Sequence, residues 1–584
     1  MVGAGAVGGD LKQAQSFRLG LIQLSQNDLK IGIYKLLGRW QHAVDTDGGY
    51  GMDLASRVVS AVTRVAEATE RTKPSKVGMV VDVADAKFIG GLIPSLVEKL
   101  PYPYSRPEFL YFSEDEITLS ADQCIRPVLC PKYPSRMPLY AGYAEVVNAG
   151  KTLQNEDQAS ARIMTLVQQG YEAEEAKELE HCQNHNSSGK NSSKDDDDLM
   201  SPSGGSTPGS VASARAEAAF FAIFDGHAGP GAALVASKCL HEHVKTRLGD
   251  VLESIIHLDR NETLLSGRGH SDSSYSISKI DSVPVRCDEL VIGALEAAFV
   301  DMDSQIAEDK QTWRISGGCA AIAVLVFLGK LFVANAGDCR AVLVTDEGSK
   351  ALSSDFTPAT ERKRLQTLAY QNPELIGNCF SRLEYSRALT KKDLKTRVLF
   401  RDWFMDGWAS KTVKDCDLKP PLISESSRKR RLLNTIGVSR GFGDHHLYTV
   451  DDHLPIKPFL SSVPEVRVFD LRSLDALTDK DVLIIGSDGL WDVLSNEEAG
   501  MIVRSLLSAT EQTEHSRYSM AAQELASAAR GYPSGSNGHR WTMNSGGSAS
   551  TDDITVFVIP LKYCVAPLPE DDDDDEMISL CAEE

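Results

Sequence analysis

Four stretches of this chain place aspartates against glycines or other acids at the ends of apolar runs. Asp225-Gly226-His227-Ala228-Gly229 follows Phe220–Phe224, and Gly337-Asp338 follows Leu331–Ala334. Ser487-Asp488-Gly489-Leu490-Trp491-Asp492 follows Val482–Ile485, and Asp552-Asp553 precedes Ile554–Ile559. Carboxylates without Cys or His companions suit hard divalent cations such as Mg²⁺ or Mn²⁺. Gly226 lets the backbone approach an ion or phosphate closely and offers its carbonyl as a ligand. His227, beside an ion, has the chemistry of a general acid; its plainer reading is a surface histidine in a turn. Asp488 and Asp492 stand four apart at a strand-to-helix corner, where both can face one ion. Asn155-Glu156-Asp157 adds further carboxylates, although alone it is a weak signal. Any one strand-end aspartate is as readily a turn residue or a helix N-cap. Four of the same local design are much harder to assign to coincidence. No serine nucleophile elbow is present, and His181-Cys182 lacks the downstream arginine of a cysteine-based phosphatase. The remaining chemistry is direct attack by a metal-activated water on a phosphoryl group, with two ions sharing a bridging carboxylate.

Rigid elements must aim these groups. The four apolar runs are short and rich in β-branched and aromatic residues, which predicts buried strands. Ala144-Glu145-Val146-Val147 reads as another strand, and Ser113-Glu114-Asp115-Glu116 as a helix start with a capping glutamate. Residues 229–248 carry a helical pattern. Residues 1–100 read as a helical extension, with periodic segments at Phe17–Trp40 and Ala55–Ala68; docking on the main domain and an interfacial or targeting helix are both open readings. The core opens over 101–170. Residues 171–216, with Asp195–Asp198, Ser201-Pro202 and Thr207-Pro208, have the composition of a disordered insertion. The core resumes over 217–560, with Arg260–Ser282 a loop candidate. Residues 361–432 are basic and aromatic (Phe400, Trp403, Phe404, Trp408) and read as a folded insertion. Residues 561–584 form an acidic tail around Glu570–Glu576.

At 584 residues the chain exceeds a single small core. Its net charge of -21 argues against nucleic acid and anionic lipid as partners. The 11 cysteines are scattered with no CxxC pair, which predicts a reducing, cytoplasmic setting. No 18-residue apolar stretch predicts a transmembrane helix, and Val2 stands where myristoylation requires glycine. Several motifs are decoys. Gly150-Lys151-Thr152 resembles the end of a P-loop, but residue 145 is Glu. His445-His446 has no nearby third ligand for zinc. Arg428-Lys429-Arg430-Arg431 reads as a nuclear signal or, more commonly, a solvated basic face.

The motifs taken together resemble the protein phosphatase 2C family of metal-dependent serine/threonine phosphatases. They are Asn155-Glu156-Asp157, Asp225–Gly229, Ser316-Gly317-Gly318-Cys319-Ala320, Ala336-Gly337-Asp338-Cys339-Arg340, Ser439-Arg440-Gly441-Phe442-Gly443-Asp444, Ser487–Asp492 and Asp552-Asp553. The resemblance covers residues 140–560 apart from the insertions. It implies an α+β fold, a four-layer α-β-β-α sandwich with two central antiparallel sheets and a flap insertion. It implies two Mg²⁺ or Mn²⁺ ions bridged by Asp225, one completed by Asp488 and Asp553, the other by Glu156 and the Gly226 carbonyl. Asp338, Asp488 and Asp492 match positions of a looser third ion, and His227 matches the general acid. The family's phosphate-binding arginine, four residues before the glutamate, is here Thr152; adjacent Lys151 is the candidate substitute.

Pro107-Glu108-Phe109-Leu110, Gly142–Lys151, the Phe400–Trp408 cluster and Lys457-Pro458-Phe459-Leu460-Ser461-Ser462 resemble the H/J/M subgroup more narrowly. That implies a flap beside the active site, and phosphoprotein substrates that include phosphothreonine in switch loops of Rab-type small GTPases. The alternative is an inactive phosphatase-like scaffold binding phosphoproteins through the flap. Retention of Glu156, Asp225, Asp488 and Asp553 weighs against it. A phosphodiesterase or nucleotide hydrolase would use the same ions, but no base-stacking or P-loop element supports one.

Overall fold

The computed structural model describes residues 102–168, 214–266, 285–313, 315–424, 429–474, 476–511, 516–534 and 540–565. The N-terminal helical segments, the last two residues of the opening core span with residues 171–213 of the insertion, and the acidic run after residue 565 lie outside the described residues.

Strands in chain order are β1 (Gly142–Val146), β2 (Gln158–Val167), β3 (Arg215–His227), β4 (Gly318–Phe327), β5 (Lys330–Ala336), β6 (Arg340–Thr345) and β7 (Gly348–Ala351). They continue with β8 (Glu384–Tyr385), β9 (Arg397–Arg401), β10 (Ala409–Thr412), β11 (Phe442–Gly443), β12 (Glu465–Asp470), β13 (Val482–Gly486), β14 (Tyr532–Ser534), β15 (Arg540–Thr542) and β16 (Ile554–Pro560). The α-helices are α1 (Glu114–Ser120), α2 (Gly231–Ser266), α3 (Cys287–Trp313), α4 (Arg362–Gln371), α5 (Asp488–Trp491), α6 (Asn496–Ala509) and α7 (Arg517–Arg530).

One sheet runs β1-β16-β13-β6-β7 and the other β12-β5-β4-β3-β2, with β11 added beside β4. All of these pairings are antiparallel. Strand periodicity explains how the sheets stack. Along β3, Phe221 and Ile223 face the other sheet, where they meet Phe557, Ile559, Leu483 and Ile485. Their neighbours Phe220, Ala222 and Phe224 face α2 and α3, packing on Val235, Leu240, Leu295 and Phe299. On the far side Val556, Val558 and Ile484 pack against Val503, Leu507, Leu525 and Ala526 of α6 and α7. The result is a helix–sheet–sheet–helix sandwich. Each fully buried Phe, Ile or Leu contributes about 1.5–3 kcal/mol of transfer free energy.

Helix α1 begins with the expected capping box between Ser113 and Glu116. Three expectations are corrected. Helix α2 does not stop near Leu248; it runs to Ser266, into the segment read as loop, because Val244, Leu248, Leu252 and Ile255 continue the buried stripe. Strand β3 starts at Arg215, inside the span assigned to the insertion, because it pairs with β2 out to Val167. Leu561, at the head of the expected tail, is fully buried.

The basic-aromatic insertion is folded. Helix α4 leads into a three-stranded sheet, β10-β9-β8. Its apolar cluster joins Leu365, Phe380, Leu422, Ile423 and Leu432 with Ile436, Ile456 and Phe459, so this lobe's core draws on residues beyond 432.

Candidate active site

Asp225 lies near the end of β3, opposite Ala320 of β4. Asp338 lies in the short link between β5 and β6, and Asp488 opens α5 directly after β13. Strands β3 and β5 belong to one sheet and β13 to the other, so these carboxylates converge where the two sheets end together. Oxygens of Asp225, Asp338 and Asp488 lie within 4.8 Å of one another. Such proximity is unfavourable without a cation. Burial and the Asp488 charge hold the Asp225 carboxyl well above the usual carboxylate range. The same two causes push Asp338 up to about 7. Burial also raises Asp488, against the pull of Lys429.

Glu156 comes from the loop between β1 and β2. Its Oε1 accepts the Gly229 N–H at 2.7 Å, and burial raises its pKa. Gly226 is required here, because a Cβ would stand 2.3 Å from the Glu156 carbonyl oxygen. The loop is braced from behind by Arg106, whose Nε and Nη2 each donate to Glu145 at 2.7 Å and whose Nη1 donates to the Asp157 carbonyl at 2.8 Å.

Asp553 does not join the acidic group. Its Oδ1 accepts the Asn148 N–H at 2.6 Å and the Asn148 side-chain amide at 3.1 Å, and its Oδ2 accepts the Glu156 N–H at 2.9 Å. Both of its oxygens are thus engaged in tying down the glutamate loop. Its carbonyl would lie 1.8 Å from a Cβ on Gly489, which fixes the Asp488 corner and demands glycine there. The neighbouring Asp552 acts on the cluster: its charge helps raise both Asp225 and Asp488. Buried Arg126 donates to the Asp552 carbonyl at 3.0 Å. Successive residues entering a strand point opposite ways, and the two-aspartate motif alone does not reveal which one faces the site.

Lys151, expected on phosphate, pairs with Asp552 at 2.5 Å. Thr152, at the family's arginine position, accepts from the Asn148 amide at 2.6 Å and donates to the Gln154 carbonyl at 2.7 Å. Asp492 is half exposed and lies 3.0 Å from the ammonium of Lys429, which also contacts Asp488 at 2.5 Å. The run Arg428–Arg431 was read as a solvated face or nuclear signal. The tertiary structure instead lays Lys429 across the acidic group.

His227 Nε2 lies 2.7 Å from Asp444 Oδ2. Burial works against a charged imidazole, but the hydrogen bond and charge of Asp444 outweigh it and raise the His227 pKa. Asp444 is held at a positive φ of 56° after β11. Asp303 of α3 secures that corner by accepting the Gly443 N–H at 2.9 Å and the Lys457 ammonium at 2.8 Å. His445 also bonds to Asp303, at 3.0 Å.

The protein phosphatase 2C family model matches residues 186–414 and 420–538. Human protein phosphatase 1H is 42% identical over 510 residues, covering 83% of this chain and 96% of the relative. The chain belongs to the protein phosphatase 2C family. Mouse protein phosphatase 1M is 39% identical (79% of this chain, 92% of the relative), and rat protein phosphatase 1J is 38% identical (80% and 88%). These relatives place the chain in the H/J/M subgroup, as a protein serine/threonine phosphatase. Protein phosphatase 2C enzymes are in general dependent on Mg²⁺ or Mn²⁺. The residues here fit that requirement: three mutually repelling carboxylates, all oxygen donors, converge on one point. Among the described residues no helix is long and apolar enough to cross a membrane.

Proposed function

We propose that this phosphatase hydrolyses phosphoserine or phosphothreonine in proteins with two divalent ions held by Asp225, the Gly226 carbonyl, Glu156, Asp488 and Asp552, Asp338 and Asp492 serving the looser side of the site. Asp552 takes the place first expected of Asp553, whose oxygens are already engaged. When bound, the ions neutralise the phosphoryl charge and lower the pKa of the attacking water. The chain's own residues do the rest. Asp225 stands between the two sheets and ties both halves of the site together, its Oδ2 accepting the Asp488 N–H at 3.3 Å. His227, kept protonated by Asp444, gives its proton to the leaving seryl or threonyl oxygen. The observation that carries the reading is the convergence of the Asp225, Asp338 and Asp488 carboxylates within 4.8 Å of one another, a concentration of negative charge that a phosphate ester alone would worsen. Release of phosphate from a phosphothreonine peptide should require Mn²⁺ or Mg²⁺ and stop with EDTA. Folded protein inactive in both metals would overturn this in favour of a binding scaffold.

The substrate reading is a phosphothreonine in a Rab-type small GTPase, met in the cytoplasm. The folded lobe supports it by reaching the acidic group through Lys429 and by exposing Phe404, Trp408 and Leu399 on its surface. Phe404→Ala with Trp408→Ala should slow hydrolysis of a phospho-Rab at least about tenfold while sparing p-nitrophenyl phosphate; equal loss on both would remove the lobe from substrate choice.

A further inference from the structure

Two lysines reach the aspartates of the site. Lys151 pairs with Asp552, and Lys429 spans Asp488 and Asp492. They differ in how they are held. Lys151 belongs to the catalytic core. Lys429 belongs to the inserted lobe and is set beside a fixed anchor. Arg430 Nη1 donates to Glu384 Oε1 at 2.9 Å, and Glu384 also accepts from Arg401 Nε at 2.6 Å. Two residues further on, Leu432 is fully buried and bridges both Ile423 and Ile436. An ammonium tethered this way acts at high local concentration on the carboxylates it touches.

We propose that Lys429 is the built-in cation of this site, holding the position of a third divalent ion between Asp488 and Asp492, so that the centre takes two divalent ions and one lysine. This rests on the divalent-cation reading given above. Asp488 Oδ2 and Asp492 Oδ2 are both within contact of the ammonium. A divalent ion using those same oxygens would stand against a like charge at close range, so the two exclude each other. Space does not prevent an ion from entering. A cavity of about 310 Å³ lies there, bounded by Asp338, Asp488, Asp492, Lys429, Arg340 and Trp491. Occupancy is decided by charge. Linkage makes the competition reciprocal: an ion at this position releases Lys429 from the carboxylates, and loss of the lysine tightens the ion.

Mn²⁺ binding to the purified full-length protein tests this without reference to turnover, with the free Mn²⁺ signal followed by electron paramagnetic resonance and heats by calorimetry. Wild type should bind two ions. Lys429→Met should gain a third site, or tighten the weakest one by about tenfold, within the roughly 5–150-fold range of such couplings. Lys429→Arg should behave as wild type. Lys429→Met with Asp492→Asn should lose the gained site. Lys429→Gln, which keeps a polar group of similar length, provides a second charge-free variant should the methionine form fail to fold. Unchanged number and affinity of Mn²⁺ sites in the folded charge-free variant would overturn the role of Lys429 alone. Absence of any Mn²⁺ binding by wild type would overturn the divalent-cation reading with it.

Discussion

His227 Nε2 and Asp444 Oδ2 lie 2.7 Å apart, although 217 positions separate them in the chain. The pair links the end of β3 to the corner after β11 and raises the pKa of an imidazole beside the acidic group. If His227 protonates the leaving oxygen, its loss must matter most for poor leaving groups. His227→Gln is expected to lower kcat on a phosphothreonine peptide by about 100-fold. On p-nitrophenyl phosphate, whose leaving group needs no proton, the loss should be several-fold only. Asp444→Asn should follow the same pattern with a smaller effect. Equal losses on both substrates would exclude the general-acid role.

Asp225 gives up stability for function. Its carboxyl is raised by burial and by Asp488, so the ionised form is disfavoured in the metal-free fold. Asp225→Asn should abolish Mn²⁺-dependent turnover. It should also stabilise the metal-free protein by about 1–3 kcal/mol, since one like charge is removed from a buried cluster. Thermal unfolding in EDTA measures this; an unchanged or lower Tm would contradict the repulsion.

Arg106 and Glu145 form a pair with only 1% of either side chain exposed, and Tyr143 adds a hydrogen bond to Glu145 at 2.5 Å. Removing one member strands the other charge. Arg106→Met should cost about 3–5 kcal/mol and loosen the loop that carries Glu156. Chemical denaturation reads the stability, and a weakened Mn²⁺ affinity reads the loop. Replacing Arg106 and Glu145 together by apolar residues should cost much less than Arg106→Met alone.

Glu361, in the turn leading into α4, accepts from Arg440 at 2.7 Å, Arg364 at 2.6 Å and Ser439 at 2.9 Å. Burial pushes its pKa up, but the two guanidinium groups outweigh this and lower it below the usual 4.5. A carboxylate with a depressed folded pKa contributes stability that is complete above its unfolded value and disappears as pH falls through the folded one. The urea midpoint of the wild type should therefore decline below about pH 4.5 partly through Glu361. Glu361→Gln should cost about 2 kcal/mol at pH 7 and flatten that acid limb. A parallel limb in the variant would show that other carboxylates set it.

Much of the site was legible in the sequence because its parts are local. Asp225-Gly226-His227, Gly337-Asp338 and Ser487-Asp488-Gly489 each couple an apolar strand to a carboxylate, and that pattern alone predicts a rigid strand end carrying a charge. The strands themselves, from Phe220, Leu331, Val482 and Ile554, follow from residue type and length. Where the sequence misled, the deciding contacts were distant. Asp552 and Asp553 are equivalent as letters. Only pairing with Asn148 and Glu156, some 400 positions away, turns Asp553 inward and leaves Asp552 beside Lys151. The end of α2 was missed because the helix continues past buried Ile255 into a segment of polar composition.

Local residue chemistry, then, determined by itself that Asp225, Asp338 and Asp488 stand at strand ends, which strands carry them, and the motifs of the family to which the chain belongs. Only the tertiary structure decided that Asp553 is engaged by Asn148 and Glu156 while Asp552 meets Lys151, that Asp444 partners His227, and that Lys429 crosses from the inserted lobe onto Asp488 and Asp492. The reason is physical. A carboxylate's identity is written in the chain, but its electrostatic partner is whichever charge the packing brings within a few ångströms.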